Sequence, residues 1–149
     1  MNLDVKLQEQ LAVLATLDPV SQAASTVVSS WVLAKDFHNI VALIQTGVLG
    51  ASATVDAKMR QATDASGTGA KDIAGHAITQ IVKASGDNKQ ALIEINDNDL
   101  DSANNFNYVA LSLTVGTAAS IVSAVLLGGN PRFAPVSGYN QAGVVQIIG

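Results

Sequence analysis

The residues in this 149-residue chain that could do chemistry are few, and none forms a complete motif. The two histidines, His38 and His76, lie on different segments, and neither sits in a nucleophile or general-base motif. A zinc site needs three or four ligands, and there is no cysteine to supplement the pair. Ser66-Gly-Thr-Gly-Ala-Lys71-Asp72 has the glycines of a phosphate loop without its spacing. A P-loop has four residues between its first Gly and a Gly-Lys pair, then Ser or Thr. Here Lys71 follows Ala70 and precedes Asp72, which reads as a loop between strands. Asp97, Asp99 and Asp101 have the start of a calcium loop. An EF-hand then needs Gly at the sixth position and Glu at the twelfth, where this chain has Ser102 and Tyr108. The better reading is a solvated loop with an Asp helix cap; a weak calcium site of another kind stays open. No Gly-x-Ser-x-Gly elbow is present, and Glu9 and Glu94 are the only glutamates. The sequence therefore nominates no catalytic, cofactor-binding or metal residue, and no cofactor.

The elements that would position such residues are built from a low-charge, aliphatic chain. Apolar residues make up 48%, charged residues 13% and aromatics 4%. That excludes a disordered chain, which needs low hydrophobicity and high charge. The formal net charge is −4, with Lys and Arg spread singly, so the basic patch of a nucleic-acid binder is missing. The lack of cysteine excludes a disulfide scaffold and thiol catalysis. No apolar run approaches the ~20 residues of a membrane span. The charged, polar start lacks a secretory pattern, so the expectation is a chain made in the cytoplasm and retained or assembled there. Low charge with high apolar content hints at a surface that becomes covered.

From Ser25 onward the pattern is short strands and turns. Ser52 to Ala62 alternates, with Ala53, Val55, Ala57 and Met59 on one face and Thr54, Asp56, Lys58 and Arg60 on the other. This is a strand with one wet face. Phe106 to Val115 presents Val109, Leu111, Leu113 and Val115 as a core face, and Gln90 to Asn96 presents Ala91, Ile93 and Ile95. His38 to Leu49 is apolar on both faces and reads as a central strand buried on both sides. Lys71 to Lys83 fits a helix or, better, one or two short strands; Ser120 to Leu127 is a further strand ended by Gly128-Gly129. About seven strands with Gly-rich turns predict an all-β fold, an antiparallel β-sandwich of jelly-roll type. Trp31, among apolar neighbours, reads as core.

The sandwich is expected over residues 25–129, between an N-terminal arm, 1–24, and a C-terminal arm, 130–149. Leu3, Leu7, Leu11 and Leu14 fit a helix, whereas Leu11, Val13, Ala15 and Leu17 fit a strand, and Pro19 stops either. Asn130 to Pro135 should lie extended, because each Pro disfavours helix in its predecessor. Arg132 and Phe133 would then project from a stiff strip; both residue types are enriched at interface hot spots. Leu3, Leu7, Arg132, Phe133 and Pro135 are the candidate partner-binding residues. Val144 to Ile148 is an apolar stretch that is an aggregation liability unless it pairs with something. Loss of residues 1–20 or 136–149 is expected to spare the sandwich and weaken attachment.

Several segments carry a resemblance: Ser29-Ser-Trp31-Val, Asp36-Phe37-His38, Gly47-x-x-Gly50, Ala53-Thr-Val-Asp-Ala-Lys58, Gln61 to Asp72, Lys89-Gln-Ala-Leu-Ile93, Leu113 to Ala118, and Asn130-Pro-Arg-Phe133. Over about residues 25–135 the chain is similar to a family of small virion structural proteins of tailed double-stranded-DNA bacteriophages and related prophages. The resemblance implies a non-enzymatic virion component, first a head decoration or cement protein, second a head–tail connector or tail protein. It implies the major capsid protein or other virion proteins as partners, a dimeric or trimeric homo-oligomer, and no nucleic acid or membrane. The competing class is a carbohydrate-binding jelly-roll module, for which one Trp and two Tyr are a meagre supply of stacking rings.

Overall fold

A computed structural model describes residues 4–149 as two packed antiparallel sheets. The strands are β1 (Leu11–Gln22), β2 (Thr26–Val28), β3 (Val32–Leu33), β4 (Phe37–Thr46), β5 (Thr54–Ala62), β6 (Lys71–Ala77), β7 (Ile81–Val82), β8 (Gln90–Asn96), β9 (Tyr108–Gly116) and β10 (Ser120–Pro131). One sheet runs β1-β10-β4-β8 and the other β2-β9-β5-β6, with β3 on β9 and β7 on β5. One turn of helix, α1 (Lys83–Gly86), joins β7 to β8. This is the jelly-roll-like β-sandwich that the alternation predicts.

A core nearly free of aromatics works because large and small side chains alternate across the strands. In the four-stranded sheet one inward row is Ala15, Leu126, Ala42, Ile93, and the next is Leu17, Ala124, Ile44, Ala91. The facing sheet contributes Val55, Ala57 and Met59 from β5, and Val109, Leu111, Leu113 and Val115 from β9, all buried. Staggered sizes let the two layers interdigitate at crystal-like density. Phe37 is the large exception, and Gly128 makes room for it: a Cβ there would lie 2.7 Å from the Phe37 ring.

Three expectations are corrected. The N-terminal segment is not an arm as far as residue 24. Leu11–Gln22 is strand β1, paired along β10, and its Ala12 and Ala15 are in the core. The alternation of β1 is legible in the sequence, but Pro19 falls inside the strand rather than ending it. Pro is tolerated because β1 is an edge strand with a register shift between Leu17 and Val20. The C-terminal segment likewise returns to the sandwich: Val136 is fully buried, and Tyr139 packs edge-on against Phe37 at 5.3 Å. Truncations at 20 or 136 therefore cut into the folded unit. Finally, β4 is central in its sheet yet buried on one face only. Ile40, Ala42 and Ile44 are buried, whereas Val41 and Leu43 are half-exposed on the outside.

Candidate interaction surface

The Asp-rich loop after β8 is built as a clamp. Asn96 starts it with a capping box: its Oδ1 accepts from the Asn98 amide, and the Asp99 carboxylate accepts from the Asn96 amide. Each aspartate then takes a different partner. Asp97 meets His38 Nδ1 at 3.2 Å and Arg132 Nη2 at 2.6 Å. Asp99 faces His76 Nε2 at 3.3 Å. Asp101 accepts from Lys71 and Asn104, while its own amide donates to Gln61 Oε1. The loop is thereby tied to β4, β6, β5 and the start of the C-terminal segment. The His38 and Arg132 hydrogen bonds hold the Asp97 carboxyl below its ordinary range, and those of Lys71 and Asn104 do so for Asp101. Among the described residues no group of three His, Cys, Asp or Glu is placed to hold a metal ion.

The glycine-rich loop closes on itself. The Asp64 carboxylate accepts from the Thr68 side chain, and its Oδ1 from the amides of Thr68 and Ser66, which together lower the carboxyl's affinity for protons. Gly67 and Gly69 take positive φ, 81° and 66°. Gly67 lies directly under Trp31: a Cβ there would be 2.5 Å from the indole Nε1. Trp31 is thus half-buried against this loop and lies outside the buried core cluster, which corrects its reading as core. The first glycine of this phosphate-loop-like stretch serves to seat a tryptophan.

The partner-binding candidates separate. Leu3 lies outside the described residues. Leu7 is 53% exposed on a single 3-10 turn, Leu7–Glu9. Arg132 does not project. Its amide donates to the Asp36 carbonyl, its Nε to the Lys35 carbonyl and its Nη2 to Asp97, so it is spent on its own fold. Phe133 is 68% exposed beside it, and Pro135 follows a cis peptide bond just before buried Val136. Farther on, the Gln141 amide donates to the Val13 carbonyl at 2.8 Å, and the Val13 amide donates to Asn140 Oδ1 at 2.7 Å. The segment thereby covers part of the β1 edge.

Sequence reasoning missed one surface, the outer face of the four-stranded sheet. Register places Val13, Leu127 and Val41 in one outward row and Val125, Leu43 and Leu92 in the next. The first five are half-exposed and Leu92 is 68% exposed. Around them stand Asn39, Gln45, Gln90, Glu94 and Asn96, with Glu94 accepting from Asn39 Nδ2 at 2.9 Å. The signal is present in β8, where Leu92 falls in phase with Gln90 and Glu94 rather than with Ile93 and Ile95. The six-stranded sheet differs. Outside it, Asp56, Lys58, Ser112 and Thr114 line a shallow groove of about 310 Å³ that no aromatic ring lines. No helix among the described residues is long and apolar enough to cross a membrane.

No protein-family model and no curated protein sequence matches the chain. Solved structures of similar outline are distant. A carbohydrate-binding module specific for non-crystalline cellulose superposes with a TM-score of 0.45 at 7% identity, covering 79% of this chain and 73% of its own. The empty top component of cowpea mosaic virus gives 0.40 at 12% identity, covering 74% and 58%. A Bacillus endospore appendage pilus protein gives 0.39 at 11% identity, covering 87% and 99%.

Proposed function

We propose that this chain is a non-enzymatic structural protein of a tailed-phage virion, a decoration or cement protein that binds the major capsid lattice. The observation that carries the reading is the division of its surface. Asp97, Asp99 and Asp101 of the loop after β8 are paired within the molecule, whereas large apolar groups face solvent at Leu7, Phe133 and Leu92. A surface of that kind suits adhesion: exposed anchors with a polar rim are how interfaces are built. Repetition over a shell makes weak single contacts sufficient. The sequence resemblance supports the same reading. The test is density from purified virions carrying this gene product. Copies on the outer shell are expected. Copies at the neck or tail would move the protein to a connector or tail role, and absence from the particle would reject the reading.

A second reading, a carbohydrate-binding module, is favoured by one feature, the groove with the Ser112 and Thr114 hydroxyls, the Asp56 carboxylate and the Lys58 ammonium. Against it, Trp31 is packed on Gly67. Tryptophan emission during titration with cello- and xylo-oligosaccharides separates the readings; a saturable shift would favour sugar binding.

A further inference from the structure

Of the sheet edges in this sandwich, one lacks the usual guards against pairing. Edge strands are normally protected by shortness, bulges, proline, charge or a covering segment. β1 has two register shifts, Pro19 and the covering residues Asn140 and Gln141. β2, β3 and β7 have two or three residues each. β6 is broken by a register shift against β5, has Gly75 at φ 79° and begins with Lys71 and Asp72. β8 is different. Its seven residues pair with β4 without a shift, from Asn39–Asn96 to Gln45–Gln90, and contain neither Pro nor Gly and one charge, Glu94. Among the described residues no strand is hydrogen-bonded to its other edge, although β6 of the facing sheet comes close to β8.

The same chain carries a segment of matching kind. Val144-Val-Gln-Ile-Ile148 is uncharged and strand-prone, with Val145 87% and Ile148 88% exposed. The Val144 amide still bonds to the Gln141 carbonyl. Among the described residues, no backbone group of 145–149 has a hydrogen-bond partner.

We propose that Val144–Ile148 of one copy adds as a strand to the β8 edge of a second copy. The chain's own β8 is out of reach. Gln141 is held at Val13 on β1, the opposite edge of the same sheet. A strand added beyond β8 lies four strand spacings away, about 19 Å. The three residue steps from Gln141 to Val144 span about 10 Å at full extension. Donor and acceptor therefore belong to different molecules. Backbone hydrogen bonds supply the affinity, as in strand addition generally. Val145 and Ile147 lie on one side of the added strand, so one of them can extend the apolar row of Leu92, Leu43 and Val125 and the other falls in the next row. With a net charge of −4 on each copy, a contact with no charged group on the donor avoids like-charge repulsion. The contact is head-to-tail, so it propagates into chains or closes into a ring.

The experiment uses the purified full-length chain in sedimentation velocity at rising concentration, without any particle, so its outcome is separate from that of capsid binding. The wild type is expected to form species larger than a dimer. Ile147→Pro removes a donor amide in an exposed tail, and Leu92→Lys places the natural edge guard on β8. Each should weaken association at least about tenfold while circular dichroism stays unchanged. Mixed together, the two variants should form a one-to-one pair, since one keeps the edge and the other keeps the tail. A wild type that stays monomeric, a variant that assembles as the wild type does, or a mixture that fails to pair would each overturn the proposal.

Discussion

Outside the six-stranded sheet, Lys58 and Arg60 reach Asp72 at 2.7 and 2.9 Å, Gln80 donates to Asp56 at 2.8 Å, and Thr26 and Thr114 share a hydrogen bond of 2.7 Å. Outside the four-stranded sheet, the corresponding positions are Val41, Leu43, Val125, Leu127 and Leu92. Both sheets turn equally aliphatic faces inward. One outer face is dressed mainly with polar pairs and the other leaves a row of aliphatic side chains partly open to solvent.

Inner and outer faces of one sheet should differ most. Leu126→Ala, fully buried, should cost about 3 kcal/mol. Leu92→Ala, on the outer face of the same sheet, should stay within about 0.5 kcal/mol. Urea unfolding of the two variants checks the pair; equal losses would mean that Leu92 is structural rather than a contact group.

Gly67→Ala is the next largest effect, about 1–3 kcal/mol, because it adds a Cβ at positive φ beneath the Trp31 ring. Tryptophan emission should shift to the red as the ring is lifted off the loop. Unchanged emission and stability would show that the loop does not seat Trp31.

Acid should act on the charged loops rather than on the apolar face. Asp64, Asp72, Asp87, Asp97 and Asp101 all have carboxyls held below their ordinary values, by hydrogen bonds from Thr68, Lys58, Lys83, His38 and Lys71 respectively. A depressed carboxylate contributes stability that is fully present above the unfolded value of about 3.9 and is lost as pH falls through the folded value. The melting temperature should hold down to about pH 4 and fall below it, with amide exchange rising first in residues 97–105. A melting temperature flat to pH 2 would contradict this.

A small effect on the charged face sharpens the contrast. Asp72→Asn removes two exposed ion pairs and should cost less than about 1 kcal/mol, because such pairs are screened by solvent and salt. Thermal melts with and without added salt measure it; a loss well above that would make the charged face structural rather than merely wetted.

Alternation alone determined the fold class and the inner faces of β5, β8 and β9, because a strand's two-residue period is written directly in the chain; residue types and their spacing separately left every catalytic motif incomplete. What only the tertiary structure decided concerns pairing across long separations. Pro19 lies within a strand because β1 is an edge, a fact set by its pairing with β10 more than a hundred residues on. Arg132 is occupied because β4 and the loop after β8 bring Lys35, Asp36 and Asp97 to it. Val41 and Leu43 face outward beside Leu92 because β8 and β10 flank β4 and, among the described residues, that side is left half-exposed; a strand that is apolar on both faces does not say which face its own fold will bury.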